Sequence, residues 1–146
     1  MHYTLTLEQE ISPESERILS EGLISYNTEQ VGASNRRGFS IWVRDSQGTI
    51  FGGLTAVISW NWLFISRLWV SEELRGQGYG RDLLMAAEQE AVVQGCEHSY
   101  LDTFSFQARG FYEGLGYQVF GQLEDFPPGH TRYFLQKRDL KVRERK

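Results

Sequence analysis

A short apolar run, Leu68-Trp69-Val70, passes through Arg75-Gly76-Gln77-Gly78-Tyr79-Gly80 into a segment with helical periodicity that begins near Arg81. A strand, a glycine-rich loop and a helix in that order confine the chain to architectures mixing strands and helices. The loop also carries chemistry. Glycines let several backbone N–H groups converge on one anion, and the first turn of the following helix adds unpaired donors and the positive end of its dipole. The pattern predicts a diphosphate site held by backbone alone. A nucleotide-triphosphate loop requires Lys-Ser or Lys-Thr after its last glycine, whereas Gly80 is followed by Arg81-Asp82. The dinucleotide fingerprint requires G-x-G-x-x-G in an early strand-turn-helix unit, and the spacing Gly76-x-Gly78-x-Gly80 at mid-chain does not match it.

A second constellation follows at Asp102-Thr103-Phe104-Ser105-Phe106-Gln107-Ala108-Arg109-Gly110-Phe111-Tyr112-Glu113-Gly114-Leu115-Gly116-Tyr117. Together the two stretches resemble the GCN5-related N-acetyltransferase (GNAT) family. Arg75, Gly78 and Gly80 fill its Arg/Gln-x-x-Gly-x-Gly/Ala signature, and Ala108, Tyr112, Gly116 and Tyr117 reproduce the order of its later helix and turn. Many family members carry an Asn three positions before the Ala, where this chain has Ser105.

The resemblance implies acetyl-CoA as the acyl donor. The backbone of Leu68 and Val70 would pair with its pantetheine arm, the loop Arg75, Gly76, Gln77, Gly78, Tyr79 and Gly80 would hold its diphosphate, and Ser105, Ala108 and Tyr112 would complete the binding surface. It further implies direct attack of a primary amine, expected to belong to a small molecule, on the thioester. Tyr112 would act as general acid toward the leaving thiolate, since a phenol with a pKa near 10 stays protonated at neutral pH. No carboxylate occurs in Phe64-Ile65-Ser66-Arg67, where some members place a base, so that role is open between Asp102 and His130. For the acceptor, Glu29, Glu124 and Asp125 offer carboxylates, and Trp60, Trp62, Phe104 and Phe126 offer aromatic faces for a cationic amine. A non-catalytic module that senses acyl-CoA is the alternative class, because a fold and a cofactor site do not by themselves establish chemistry.

With 146 residues the chain has the length of one domain that buries a core without staples. The reading is a single acetyltransferase domain over residues 1–140 and a basic tail over 141–146. A lone cysteine, Cys96, excludes an intramolecular disulfide and is read as a buried, inert thiol, consistent with a reduced, cytoplasmic protein. No metal site is expected, since no histidine pair has ligand spacing. The balance of 15 basic against 19 acidic side chains argues against a nucleic-acid surface. The opening residues lack the pattern of a signal peptide, and no run reaches roughly 18 apolar residues, so no membrane partner is expected. The resemblance admits a homodimer.

Along the chain, Tyr3 to Gln9 alternates as a first strand, and Ser12-Pro13 caps a helix running to about Tyr26, with a loop or broken helix over Asn27 to Gly38. A strand at Phe39 to Arg44 turns at Asp45-Ser46-Gln47-Gly48 into a second over Thr49 to Trp60, where Gly52-Gly53 marks a bulge or a close backbone approach. Trp62 to Val70 feeds the glycine loop, and Leu83, Leu84, Ala87 and Ala91 recur at helical spacing before Gly95. Ser99 to Leu101, a helix over Gln107 to Leu115, and the pair Tyr117 to Leu123 with Thr131 to Gln136 complete the series. The expectation is an α/β (α+β) fold with a mixed, mostly antiparallel central sheet flanked by helices, in the order β-α-β-β-β-α-β-α-β-β.

Overall fold

A computed structural model describes residues 2–141, so the end of the basic tail lies outside the described residues. The chain divides into two compact units, Met1–Ser34 and Asn35–Lys146. The first holds one helix, α1 (Pro13–Val31), whose start follows the predicted chemistry: the Ser12 side chain accepts from the Ser15 N–H at 3.1 Å, and proline occupies the first turn with Glu14 and Glu16. The helix continues past Tyr26 and stops at Gly32, whose φ of 87° leaves the helical region. The strand expected over Tyr3 to Gln9 does not form. Alternation specifies a face but not a partner; no ladder forms over this segment, and Leu5 and Leu7 stay exposed.

The second unit is built on a six-stranded sheet: β1 (Arg37–Arg44), β2 (Ile50–Ser59), β3 (Trp62–Val70), β4 (His98–Phe104), β5 (Gln118–Glu124) and β6 (Thr131–Lys137), in spatial order β1-β2-β3-β4-β6-β5. Every neighbouring pair is antiparallel except β3 and β4. The crossover between those two carries a 3₁₀ turn (Glu72–Leu74), the glycine loop and helix α2 (Tyr79–Val93). Leu83, Leu84, Ala87 and Ala91 of α2 are buried with Leu54, Ala56, Ile58, Leu63, Ile65, Leu101 and Leu135 of the sheet. This is the apolar face the spacing predicts.

Local rules explain the ends of the elements. After α2, Gly95 takes φ 91° while its N–H donates to Val92 O and that of Cys96 to Ala91 O, at 3.0 and 2.8 Å. Helix α3 (Arg109–Gly114) ends the same way, with Gly116 at φ 96° donating to Glu113 O and Tyr117 N to Tyr112 O. Both are left-handed glycine caps that satisfy the last carbonyls and aim the next residue, Cys96 or Tyr117, into the core. Both readings of Gly52-Gly53 are observed: a Cβ on Gly53 would overlap the ring of Trp42, and beside Gly52 the β1–β2 register slips, with Val43 facing Gly52 and Arg44 facing Ile50, so that Phe51 is an extra residue. A second bulge lies between β2 and β3, where Thr55 and Ala56 face Arg67 and Ile65 and leave Ser66 as the extra residue. Among the described residues no helix is long and apolar enough to cross a membrane.

Candidate active site

The site begins where the parallel pair comes apart. Rungs join β3 to β4 only from Trp62 with His98 to Ile65 with Leu101, yet β3 runs on to Val70 and β4 to Phe104. Each diverging arm stays fastened on its outer side, β3 to β2 through Gly52 with Val70, and β4 to β6 through Phe104 with Arg132. The arms are held apart with their inner edges unladdered. Between them lies a cleft of about 1050 Å³, lined among others by Leu68, Val70, Arg75, Gly76, Gly78, Tyr79, Gly80, Asp102, Ala108 and Tyr112.

At one end of the cleft, Gly76 and Gly78 adopt φ values of 76° and 91°, and a Cβ on either would meet nothing within 4 Å. The glycines are there for conformation and not for lack of room. Gly78 caps α2, whose first helical bond is Asp82 N to Gly78 O at 3.0 Å, so the N–H groups of the first turn have no helical acceptor. Arg75 folds back and donates through Nε to the Val70 carbonyl at 3.1 Å, bracing the loop against the end of β3. The donor set suits a diphosphate: backbone amides, a helix dipole, and Arg75 and Arg81 on the lining. The Gln77 side chain turns away to the Glu73 carbonyl.

The opposite wall is β4 and α3. Tyr112 is buried, its ring edge-on to Phe111 and Tyr117 at centroid distances of 5.1 and 6.2 Å. Burial, and secondarily the negative charge of Asp102, push its phenol up to about 12. Asp102 also lines the cleft, but its Oδ1 accepts from Arg132 Nε at 3.0 Å and Nη2 at 2.8 Å. Arg132 in turn lies over the rings of Phe104, Phe126 and Phe134, 5.0 to 5.6 Å from their centroids. This carboxylate is fixed in place with Oδ2 left over.

Behind α3, Glu88 is buried on α2. Its Oε2 accepts from the Tyr117 hydroxyl at 2.9 Å and its Oε1 from Lys137 Nζ at 2.8 Å, and Ser99 Oγ lies 2.9 Å from the same hydroxyl. Burial, then the Glu88 charge, drive the Tyr117 phenol far above its ordinary range, so it stays a donor. The network braces the wall that carries Tyr112.

Of the cofactor-binding residues singled out from the sequence, Ser105 and Gln77 do not line the cleft, and of the acceptor candidates only Phe104 does, while Trp60, Trp62, Glu124, Asp125, Phe126 and Glu29 lie outside the lining. Ser105 ties two loops together, with its Oγ accepting from Thr131 N at 3.1 Å and lying 3.4 Å from His130 Nδ1. His130 stacks edge-on against Phe106, outside the lining. Arg67, Trp69, Arg81 and Phe111 line the cleft without having been singled out, and neither was Arg132. Arg67 is within reach of the sequence, since it closes the Phe64-Ile65-Ser66-Arg67 stretch that leads into the glycine loop. Arg132 is not, because only the folded register brings it beside Asp102, thirty residues away.

Comparison with known proteins agrees with this geometry. The model of the acetyltransferase (GNAT) family matches residues 3–117. The chain is similar to an acetyltransferase of Agrobacterium fabrum, 34% identical over 86% of this chain and 91% of that one. It is also similar to the blasticidin-S acetyltransferase of Streptomyces morookaense, 37% identical over 68% and 74%. The crystal structure of an acetyltransferase from Bacillus cereus superposes with a TM-score of 0.82 at 34% identity, covering 91% of this chain and 97% of the other. A diverging parallel pair, a glycine loop on a helix start and these relatives lead to one statement: the chain belongs to the GNAT family of acetyltransferases.

Proposed function

We propose that the protein is an acetyl-CoA-dependent N-acetyltransferase acting on the primary amine of a small molecule. The observation that carries this reading is the split between β3 and β4, with the glycine loop at one end and Tyr112 on its wall. Acetyl-CoA, when bound, supplies an activated thioester. The chain supplies the rest. Loop amides and the α2 N-terminus bind the diphosphate, and the unladdered inner edge at Leu68 and Val70 offers backbone donors and acceptors to the amide-bearing arm. Arg75 braces that edge through the Val70 carbonyl.

With its phenol pushed up to about 12, Tyr112 stays protonated across neutral and mildly alkaline pH, and its hydroxyl is the donor for the departing thiolate. Asp102 Oδ2 receives a proton or a hydrogen bond from the incoming amine while Oδ1 stays with Arg132. The relative named for blasticidin S supports the small-molecule side of the reading.

A thermal-shift titration of the purified chain with acetyl-CoA, beside ATP and NAD, tests it. At a hundredfold over its dissociation constant a ligand of the native state adds roughly 2.7 kcal/mol, so acetyl-CoA alone should raise Tm by several degrees. An unchanged Tm with acetyl-CoA would overturn the reading.

A further inference from the structure

We infer that the acceptor is a zwitterion of the amino-acid type, with its carboxylate held by Arg67 and its amine received by Asp102 on the facing wall; this rests on the acetyl-transfer reading above. The inference starts from the bulge in β3. Thr55 points away from the core face that Leu54 and Ala56 occupy, and it gathers both bulge residues: Ser66 Oγ lies 2.8 Å from Thr55 Oγ1, and Arg67 Nε donates to the same oxygen at 3.3 Å. Ser66 and Arg67 therefore emerge on the same face, against the ordinary alternation of a strand. Nε anchors the guanidinium, and its two terminal nitrogens remain available.

The last rung of the parallel pair is Ile65 with Leu101, so Arg67 and Asp102 each lie just beyond it, on opposite arms of the split. Both line the cleft. Ile65 and Leu101 are core residues, which turns Asp102 to the same face as Arg67. The charges of this part of the cleft do not cancel. Asp102 is already neutralised by Arg132, whereas Arg67 makes no ion pair among the described residues.

Arg75 and Arg81 belong to the diphosphate end, which leaves Arg67 as the cation that faces an acceptor. A purely cationic amine meets an uncompensated like charge there. A molecule with a carboxylate on the carbon bearing the amine, or on the next one, satisfies Arg67 with a bidentate pair and presents its nitrogen to Asp102 Oδ2 beside Tyr112.

The test measures acetyl-CoA-dependent thiol release with the proteinogenic amino acids and β-alanine, each beside its carboxamide and its decarboxylated amine. The intact chain should favour the carboxylate form by roughly ten- to hundredfold in kcat/KM, the range of a charge-assisted pair. In Arg67→Gln that ratio should fall toward one through a higher acceptor KM, and Arg67→Lys should restore part of it. A preference that survives Arg67→Gln overturns the inference, and so does turnover confined to amines without an adjacent carboxylate. Acetyl-CoA binding without turnover of any carboxylate-bearing amine overturns it as well while leaving the donor site intact. Failure to bind acetyl-CoA would instead remove the acetyl-transfer reading on which it rests.

Discussion

At the scale of single residues, Tyr112 combines two requirements that usually conflict: it is packed like a core side chain yet lines an open cleft. Desolvation disfavours the phenolate, and the nearby Asp102 charge adds to that, so ionisation moves from the ordinary value near 10 up to about 12. The fold prefers the protonated form, so stability from this group is intact below pH 10 and declines as pH rises from about 10 to about 12.

In the proposed reaction the same shift keeps Tyr112 protonated across neutral and mildly alkaline pH, as a proton donor must be. Tyr112→Phe should lower kcat by roughly 10² to 10⁴ while leaving acetyl-CoA affinity and Tm nearly unchanged, since the ring contacts with Phe111 and Tyr117 remain. The wild-type pH–rate profile should show no descending limb from this residue near pH 10. A limb at that pH that disappears in Tyr112→Phe would keep the proton-donor role but contradict the raised ionisation of the buried phenol.

At the scale of elements, the glycine loop and its helix are set by backbone conformation. Gly78→Ala meets open space but forces a side chain into a left-handed residue, at a cost of roughly 1 to 2 kcal/mol in unfolding free energy. Denaturant unfolding reads that cost, and calorimetry with acetyl-CoA should show a weaker Kd because the cradle shifts. The Arg75 to Gly80 stretch was legible in the sequence because its requirements are local: glycine where φ is positive, and a helix start immediately after. Helix α2, its Gly95 cap and the Gly116-Tyr117 exit from α3 were legible for the same reason.

What escaped was non-local. Tyr3 to Gln9 has the alternation of a strand and forms no ladder, and α1 overran Tyr26 because Asn27 to Val31 carries no strong stop before Gly32. The bulge at Ser66 has no glycine to announce it, because the insertion is a property of two strands in register and not of one. The base candidates suffered similarly. Asp102 was visible as a carboxylate, but its bond to Arg132 exists only through the β4–β6 pairing.

At the scale of the whole sheet unit, Glu88 links pieces that are distant in sequence: α2, the start of β4 through Ser99, the exit of α3 through Tyr117, and the end of β6 through Lys137. Removing a buried carboxylate leaves the Lys137 ammonium and the Tyr117 hydroxyl without it. Lys137 keeps 29% of its side chain exposed, so the loss is discounted for solvent screening. Glu88→Ala should cost about 2 kcal/mol in urea unfolding and Glu88→Gln less, because the amide still accepts from Tyr117. Equal losses in the two variants would show that the carboxylate charge facing Lys137, and neither side-chain volume nor the bond from Tyr117, sets the stability.

The parallel join has a consequence for the mechanics of this unit. Two three-stranded leaves, β1-β2-β3 and β4-β6-β5, meet along a spine only four rungs long, from Trp62 to Ile65 against His98 to Leu101. Beyond that spine the book stands open. In the proposed function a donor whose arm hydrogen-bonds to one free margin takes the place of a missing strand, lengthening the binding without moving the pages. In the proposed reaction, occupancy becomes a form of stitching, in which the acyl donor consumed in each cycle also holds the leaves together while it stays.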